Sequence, residues 1–288
     1  MAESHVSAEI ASQPSAWRRA VDLATTAPGL PRPGESVAVV GCGTSWFMAM
    51  AYAALREPTG RTDAFAASEA PLDRKYDRVV AISRSGTTTE VVDLLRAVRV
   101  PTTVITGVAD SPAALAADRT ILLDFADEQS VVQTRFATST LALLRASLGQ
   151  DLTGPIADAR DALEVPLGDL PSAEQTTFLG RGWTVGLAHE AALKLREAAT
   201  AWAEAYPAMD YRHGPISIAQ PGRAVWMFGP APDGLPADVA ATGAEFVTSD
   251  LDPMAHLIVA QRLAVATAER RGLDPDRPRH LTRSVILT

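Results

Sequence analysis

Short runs of apolar and β-branched residues recur along the chain. Each ends in glycine or hydroxyl residues and leads into a longer stretch with apolar positions at helical spacing. Residues 37–40 run into Gly41, Gly43, Thr44 and Ser45, and a helical pattern follows over 45–55. Residues 78–82 run into Ser83, Arg84, Ser85, Gly86 and Thr87, with a helix expected over 88–98. Residues 102–106 and 120–125 read as two further strands, and 134–149 as one long helix. Short apolar runs mark buried strands and a 3.6-residue period marks helices, so their alternation predicts a parallel sheet covered by helices. The series restarts after the Asp-, Pro- and Gly-rich residues 150–174, with strands over 176–179 and 223–228 and helices over 186–202 and 252–272. The expected fold class is α/β, in two halves, each a parallel sheet flanked by helices on both faces. The expected domains are an N-terminal arm and helix at 1–34, a first half at 35–160, and a second half with a C-terminal tail at 161–288. Within the opening segment, residues 1–16 read as an arm and 16–25 as a helix, broken by Pro and Gly at 28–33.

Composition narrows the setting. Of 288 residues, 47% are apolar, enough for a sizeable core. The formal net charge is -8 with no block of like charges, which argues against a nucleic-acid partner and means that an anionic ligand needs local donors. Cys42 is the only cysteine, so no intrachain disulfide forms. No apolar run reaches membrane-spanning length, and the first residues lack a secretory apolar stretch. A cytoplasmic protein with no membrane partner is expected.

Candidate chemistry starts at the turn over residues 83–88. A helix start offers unpaired N–H groups and the positive end of the helix dipole, so it attracts anions. Thr87 and Glu90 have capping-box spacing, which predicts the helix start near Thr87. Ser83, Ser85, Thr87 and Thr88 add hydroxyl donors, and Gly86 allows close backbone approach. A phosphate monoester suits this arrangement, and so does an ordinary capped strand–turn–helix. The turn over Gly41, Gly43, Thr44 and Ser45 repeats the pattern, also at the carboxyl end of a strand, where open α/β sheets bind ligands.

A second constellation lies further on. Glu190, Lys194, Glu197 and Glu204 fall at steps of four, three and seven, which places them on one stripe of a predicted helix. The other positions are mostly Ala and Leu, so the stripe fits either a solvated face or the wall of a polar pocket. His213 follows in a loop before Gly214 and Pro215. A carboxylate and a histidine facing one ligand make a base and an acid for proton transfer. His5, His189, His256 and His280 show no metal-ligand spacing, so neither metal nor cofactor is expected. Cys42 reads as a packing residue rather than a nucleophile.

Taken together, CGTS at 42–45, SRSGTTT at 83–89, EAALKLREAATAWAEAY at 190–206, RHGP at 212–215 and the tail DRPRHLTRSVILT resemble the isomerase part of glucosamine-6-phosphate synthase. More broadly they resemble the double-SIS phosphosugar enzymes. The resemblance implies two SIS subdomains with phosphate held by Ser83, Ser85 and Thr88, and with Gly43, Thr44, Ser45 and Arg84 nearby. Gln133 falls where that family has another sugar-contacting serine. Glu197 matches its base for the C1/C2 proton, Lys194 a neighbouring lysine, and His213 a ring-opening histidine supplied by the adjacent subunit. A homodimer with a shared active site is therefore implied. Two departures stand out. No glutaminase domain precedes these residues, so synthesis of glucosamine phosphate from glutamine is not expected. Arg283 stands where the family tail has a Schiff-base lysine, and an arginine keeps its proton.

Three functions remain open. The leading one is abstraction of the C2 proton of an amino-sugar 6-phosphate by an aldose–ketose isomerase or deaminase. The second is a lyase or dehydratase that expels the C3 substituent of an N-acetylamino-sugar 6-phosphate. The third is a non-catalytic sugar-phosphate sensor.

Overall fold

The computed structural model describes residues 4–71 and 73–287, so the first three residues of the expected arm lie outside it. In chain order the elements are α1 (His5–Ala11), α2 (Gln13–Ala24), β1 (Val37–Gly41), α3 (Thr44–Arg56), β2 (Thr62–Ala66), β3 (Arg78–Ile82), α4 (Thr89–Ala97), β4 (Thr102–Thr106), α5 (Pro112–Ala116), β5 (Arg119–Leu122), α6 (Arg135–Ser147) and α7 (Thr153–Ala162). They continue with β6 (Gln175–Gly180), α8 (Thr184–Ala199), β7 (Trp202–Pro207), β8 (Arg223–Met227), α9 (Leu235–Thr242), β9 (Glu245–Val247) and α10 (Pro253–Arg270). The chain forms two compact units. The first takes residues 15–129, 133–152 and the tail from 282; the second takes the residues up to 14, 130–132 and 153–281.

The first unit holds a parallel sheet in the order β2-β1-β3-β4-β5. Strands β1 and β4 are buried along their whole length, which is why they read as unbroken apolar or β-branched runs. Ala38, Val40, Val79, Ala81 and Val104 pack on one face against Val91, Leu94 and Leu95 of α4. Helix α3 covers β1 and β2 and packs on α6. Edge strand β2 was not expected from its sequence, Thr-Asp-Ala-Phe-Ala, because only its first residue is buried and no apolar run marks it. The strand expected over 120–125 stops at Leu122, and residues 124–126 form a 3-10 turn.

The second unit holds a parallel sheet in the order β7-β6-β8-β9. Here the helix expected over 186–202 ends early. Thr200 adopts a left-handed conformation at φ 50 that closes α8, and residues from Trp202 pair with β6 as an unexpected strand, β7. Alternating Ala, Trp, Glu and Tyr satisfy either period, and the sheet edge decides between them. Glu204 therefore leaves the helical stripe that its spacing predicted. The opening segment also differs from an arm. Ser4 caps α1, and the Asp276 carboxylate accepts from the His5 and Val6 N–H groups at 2.8 Å each. Val6 and Ile10 are buried in this unit. Helix α10 runs along α8 with a nearly continuous buried face.

Candidate active site

Two hydroxyl-lined turns open from the carboxyl ends of the neighbouring central strands β1 and β3. In the first, a Cβ on Gly41 would lie 2.7 Å from the Ser45 carbonyl carbon, so only glycine lets α3 begin this close to the strand. Gly43 bends the chain at φ 53, and Thr44 and Ser45 are buried just beyond it. In the second turn, Gly86 sits at φ 63, and a Cβ there would strike Ser111 Oγ at 2.0 Å.

The serines of this second turn are bound largely to the turn itself. Ser83 Oγ accepts the Gly86 N–H at 3.2 Å, and Ser85 Oγ accepts the Thr87 N–H at 3.2 Å and the Thr87 hydroxyl at 2.9 Å. Thr87 is thus not the helix cap its spacing suggested. The helix begins at Thr89 with Thr88 as N-cap and no side-chain capping bond. The C-terminal tail lies across this start: Val285 O accepts the Thr89 N–H at 3.2 Å, and the Leu287 N–H donates to Thr89 Oγ1 at 2.9 Å. Ser284 and Thr87 share a hydroxyl hydrogen bond of 2.8 Å. Part of the helix-start donor set is therefore engaged by the chain's own tail, whereas the half-buried Thr88 hydroxyl makes no hydrogen bond among the described residues.

Beneath the turn lies a buried ion pair. Arg84 is 2% exposed and sits 3.5 Å from Glu128 Oε2. Burial pulls its guanidinium below the usual arginine range, and the Glu128 charge opposes that shift. Glu128 Oε1 in turn accepts the Thr134 N–H at 2.6 Å, the Thr134 hydroxyl at 2.8 Å and the Arg135 N–H at 2.8 Å, which caps α6. Arg283 of the tail pairs with Asp127 and donates to the Glu128 carbonyl, while its own carbonyl accepts from Arg84 at 3.2 Å. Sequence reasoning missed Glu128. The available signal was an arginine in an otherwise buried turn, which needs a carboxylate. Gln133, next to this helix start, has a buried Oε1 without a hydrogen-bond partner among the described residues.

The second unit carries the acid–base candidates on α8. Glu190 and Lys194 are 0% and 1% exposed, so the stripe is not a solvated face. Lys194 Nζ lies 3.4 Å from Glu190 Oε1 and 2.6 Å from Glu197 Oε2. The Glu197 side chain keeps 19% of its surface exposed. Buried lysine thus anchors a carboxylate that still reaches solvent. Glu204 faces elsewhere, accepting from Trp202 Nε1 and the Tyr206 hydroxyl at 2.9 Å each. His213 ends a short 3-10 turn, exposed, with no hydrogen bond to it among the described residues. His256 is buried instead, stacked on Trp226 with ring centroids 4.6 Å apart, and desolvation lowers its pKa to about 4. Cys42 packs against the first core, and burial pushes its thiol up.

Residues 32–148 match the SIS domain model. Those residues form a SIS domain. The matched SIS segment contains both turns, Glu128 and Gln133, whereas α8, His213 and the tail lie beyond it. A glutamine–fructose-6-phosphate aminotransferase (isomerizing) from Pyrobaculum aerophilum is 30% identical over 92% of this chain and 55% of its own. The SIS chain spans about half the length of such curated relatives. Among solved structures, a glucosamine-6-phosphate deaminase from Thermotoga maritima superposes with TM-score 0.84 at 25% identity, covering 99% of this chain and 100% of that one. The C-terminal domain of the glucosamine-fructose-6-phosphate aminotransferase from Francisella tularensis shares the fold, with TM-score 0.81 at 23% identity over 96% and 98% of the two chains. The chain therefore shares its fold with these two solved structures.

Proposed function

We propose that this protein is an enzyme that binds an amino-sugar 6-phosphate and moves the proton on C2, as an aldose–ketose isomerase or deaminase. The observation that carries the reading is Glu197, a partly exposed carboxylate held 2.6 Å from the buried Lys194 ammonium. A base for a carbon-bound proton must be fixed in place and open to substrate, and the 2.6 Å contact with Lys194 and the partial exposure of Glu197 support that role. Ser83, Ser85 and Thr88 hold the phosphate, with Gly43, Thr44, Ser45 and Arg84 nearby and Gln133 contacting the sugar. His213 opens the ring, supplied from the adjacent subunit of a homodimer, as the family pattern implies. Its exposure, with no hydrogen bond among the described residues, is consistent with that delivery.

Chemically, Glu197 takes the C2 proton of the open-chain aldehyde, and the electrons move toward the carbonyl to give an enolamine. Return of the proton at C1 leaves a ketose imine, and water releases ammonia and the ketose phosphate. None of these steps needs a lysine imine, which matters because Arg283 stays protonated and is tied to Asp127. The same arginine favours a second reading. With no tail lysine, the enolate from an N-acetylated sugar can expel its C3 substituent as a lyase would.

The test is incubation with glucosamine 6-phosphate, its N-acetyl form and fructose 6-phosphate. Ammonia release or ketose formation is expected. An ultraviolet-absorbing unsaturated sugar from the N-acetyl substrate selects the lyase, and binding without turnover of any of the three overturns both enzymatic readings in favour of a sensor.

A further inference from the structure

A cleft rich in arginine stands out at the opposite end of the first sheet. Four guanidinium groups border one polar cleft of about 740 Å³: Arg32 from the loop before β1, Arg78 at the start of β3, Arg99 between α4 and β4, and Arg119 at the start of β5. Gathering four arginines in one cleft runs against the chain's net charge of -8. Arg78 is engaged by Glu35 at 3.2 Å, and Asp118 is occupied by the Thr102 N–H and hydroxyl at 2.8 and 3.0 Å. Arg32, Arg99 and Arg119 are exposed and form no ion pair among the described residues.

Hydrogen bonds from buried or neighbouring side chains hold the walls of the cleft. Buried Arg56 clamps the loop by donating to Arg32 O at 2.6 Å and to Glu35 O at 3.1 Å. Thr103 Oγ1 donates to Gly29 O at 2.8 Å, which pins the other side. Val98, Val100 and Pro101 supply an apolar lining.

We infer that this cleft binds a small molecule carrying a diphosphate group, separately from the turn over residues 83–88. Guanidinium forks match phosphate oxygens bidentately, and several forks set around one cleft exceed what a single orthophosphate can occupy. The cleft lies at the amino ends of β3, β4 and β5, whereas the hydroxyl turns lie at the carboxyl ends of β1 and β3, so the two ligands do not compete for one place.

The test is calorimetric titration of the full chain with pyrophosphate, ADP and orthophosphate at low ionic strength. Pyrophosphate is expected to bind more tightly than orthophosphate, and Arg99→Gln with Arg119→Gln to weaken it about tenfold or more. Both arginines are exposed and form no ion pair among the described residues, so folding tolerates the change. Ser85→Ala with Thr88→Ala should leave pyrophosphate affinity unchanged. Equal affinity for ADP and pyrophosphate identifies the diphosphate itself as the recognised group, and tighter ADP binding adds a contribution from the rest of that molecule. An unaltered affinity in the arginine variant, equal affinity for orthophosphate, or loss of binding in the serine–threonine variant overturns the inference.

Discussion

The turn over residues 83–88 and the polar stripe of α8 solve opposite problems. The turn is made of neutral hydroxyls that satisfy one another and the local backbone, as in the Ser83–Gly86 and Ser85–Thr87 bonds. Its one deeply buried charge, Arg84, is matched by Glu128 from another part of the unit. The stripe does the reverse. It places Glu190 and Lys194, both ionisable, in the interior on a helix packed against β6, β7 and α10. Burying a charge costs several kcal/mol unless a partner recovers it, so such a cluster persists only where its members match one another. Neutral donors suit a group that must bind and be released. A buried cation suits a carboxylate that must keep its charge and its position.

That contrast can be broken by substitution, and the largest effect is expected on chemistry. Glu197→Gln should lower kcat about 10³-fold while sugar-phosphate affinity stays nearly constant, measured by initial rates beside calorimetry. Near-normal turnover would remove Glu197 as the base. Lys194→Met comes next. Removing the cation between Glu190 and Glu197 should cost about 3–5 kcal/mol in urea unfolding, because a buried carboxylate loses its ion pair. A loss below about 1 kcal/mol would mean that the pair is not what holds the stripe inside.

Gly86→Ala sharpens the other side. A methyl at φ 63, only 2.0 Å from Ser111 Oγ, should cost about 2–3 kcal/mol and shift the melting midpoint downward. The smallest effect is expected from Ser85→Ala with Thr88→Ala, which should raise KM about 30-fold with little change in kcat. A kcat loss as large as that of Glu197→Gln would erase the proposed division between a binding turn and a reacting stripe.

Much of this was legible in the residues, for identifiable reasons. Strands β3 and β4 were bounded correctly because buried parallel strands are runs of apolar and β-branched residues. Both glycine turns were visible because each strand ends abruptly in residues that tolerate tight turns. Edge strands β2 and β7 were not visible, since their residues are only partly buried and carry Asp63 and Glu204 among apolar neighbours. The capping box at Thr87 failed because Ser85 and Ser284 compete for its hydroxyl, and a bond to a tail nearly two hundred residues away leaves no local trace. Glu128 was missed for a related reason: its ion partner Arg84 is set by packing and not by spacing.

The sequence alone determined the α/β alternation, the two hydroxyl turns and the four-three spacing of Glu190, Lys194 and Glu197, because period and turn chemistry are properties of neighbouring residues. Only the tertiary structure decided that this stripe is buried, that Glu204 leaves it for a strand, and that the tail lies over the start of α4. Burial and long-range hydrogen bonding depend on which surfaces meet, and no local pattern encodes that.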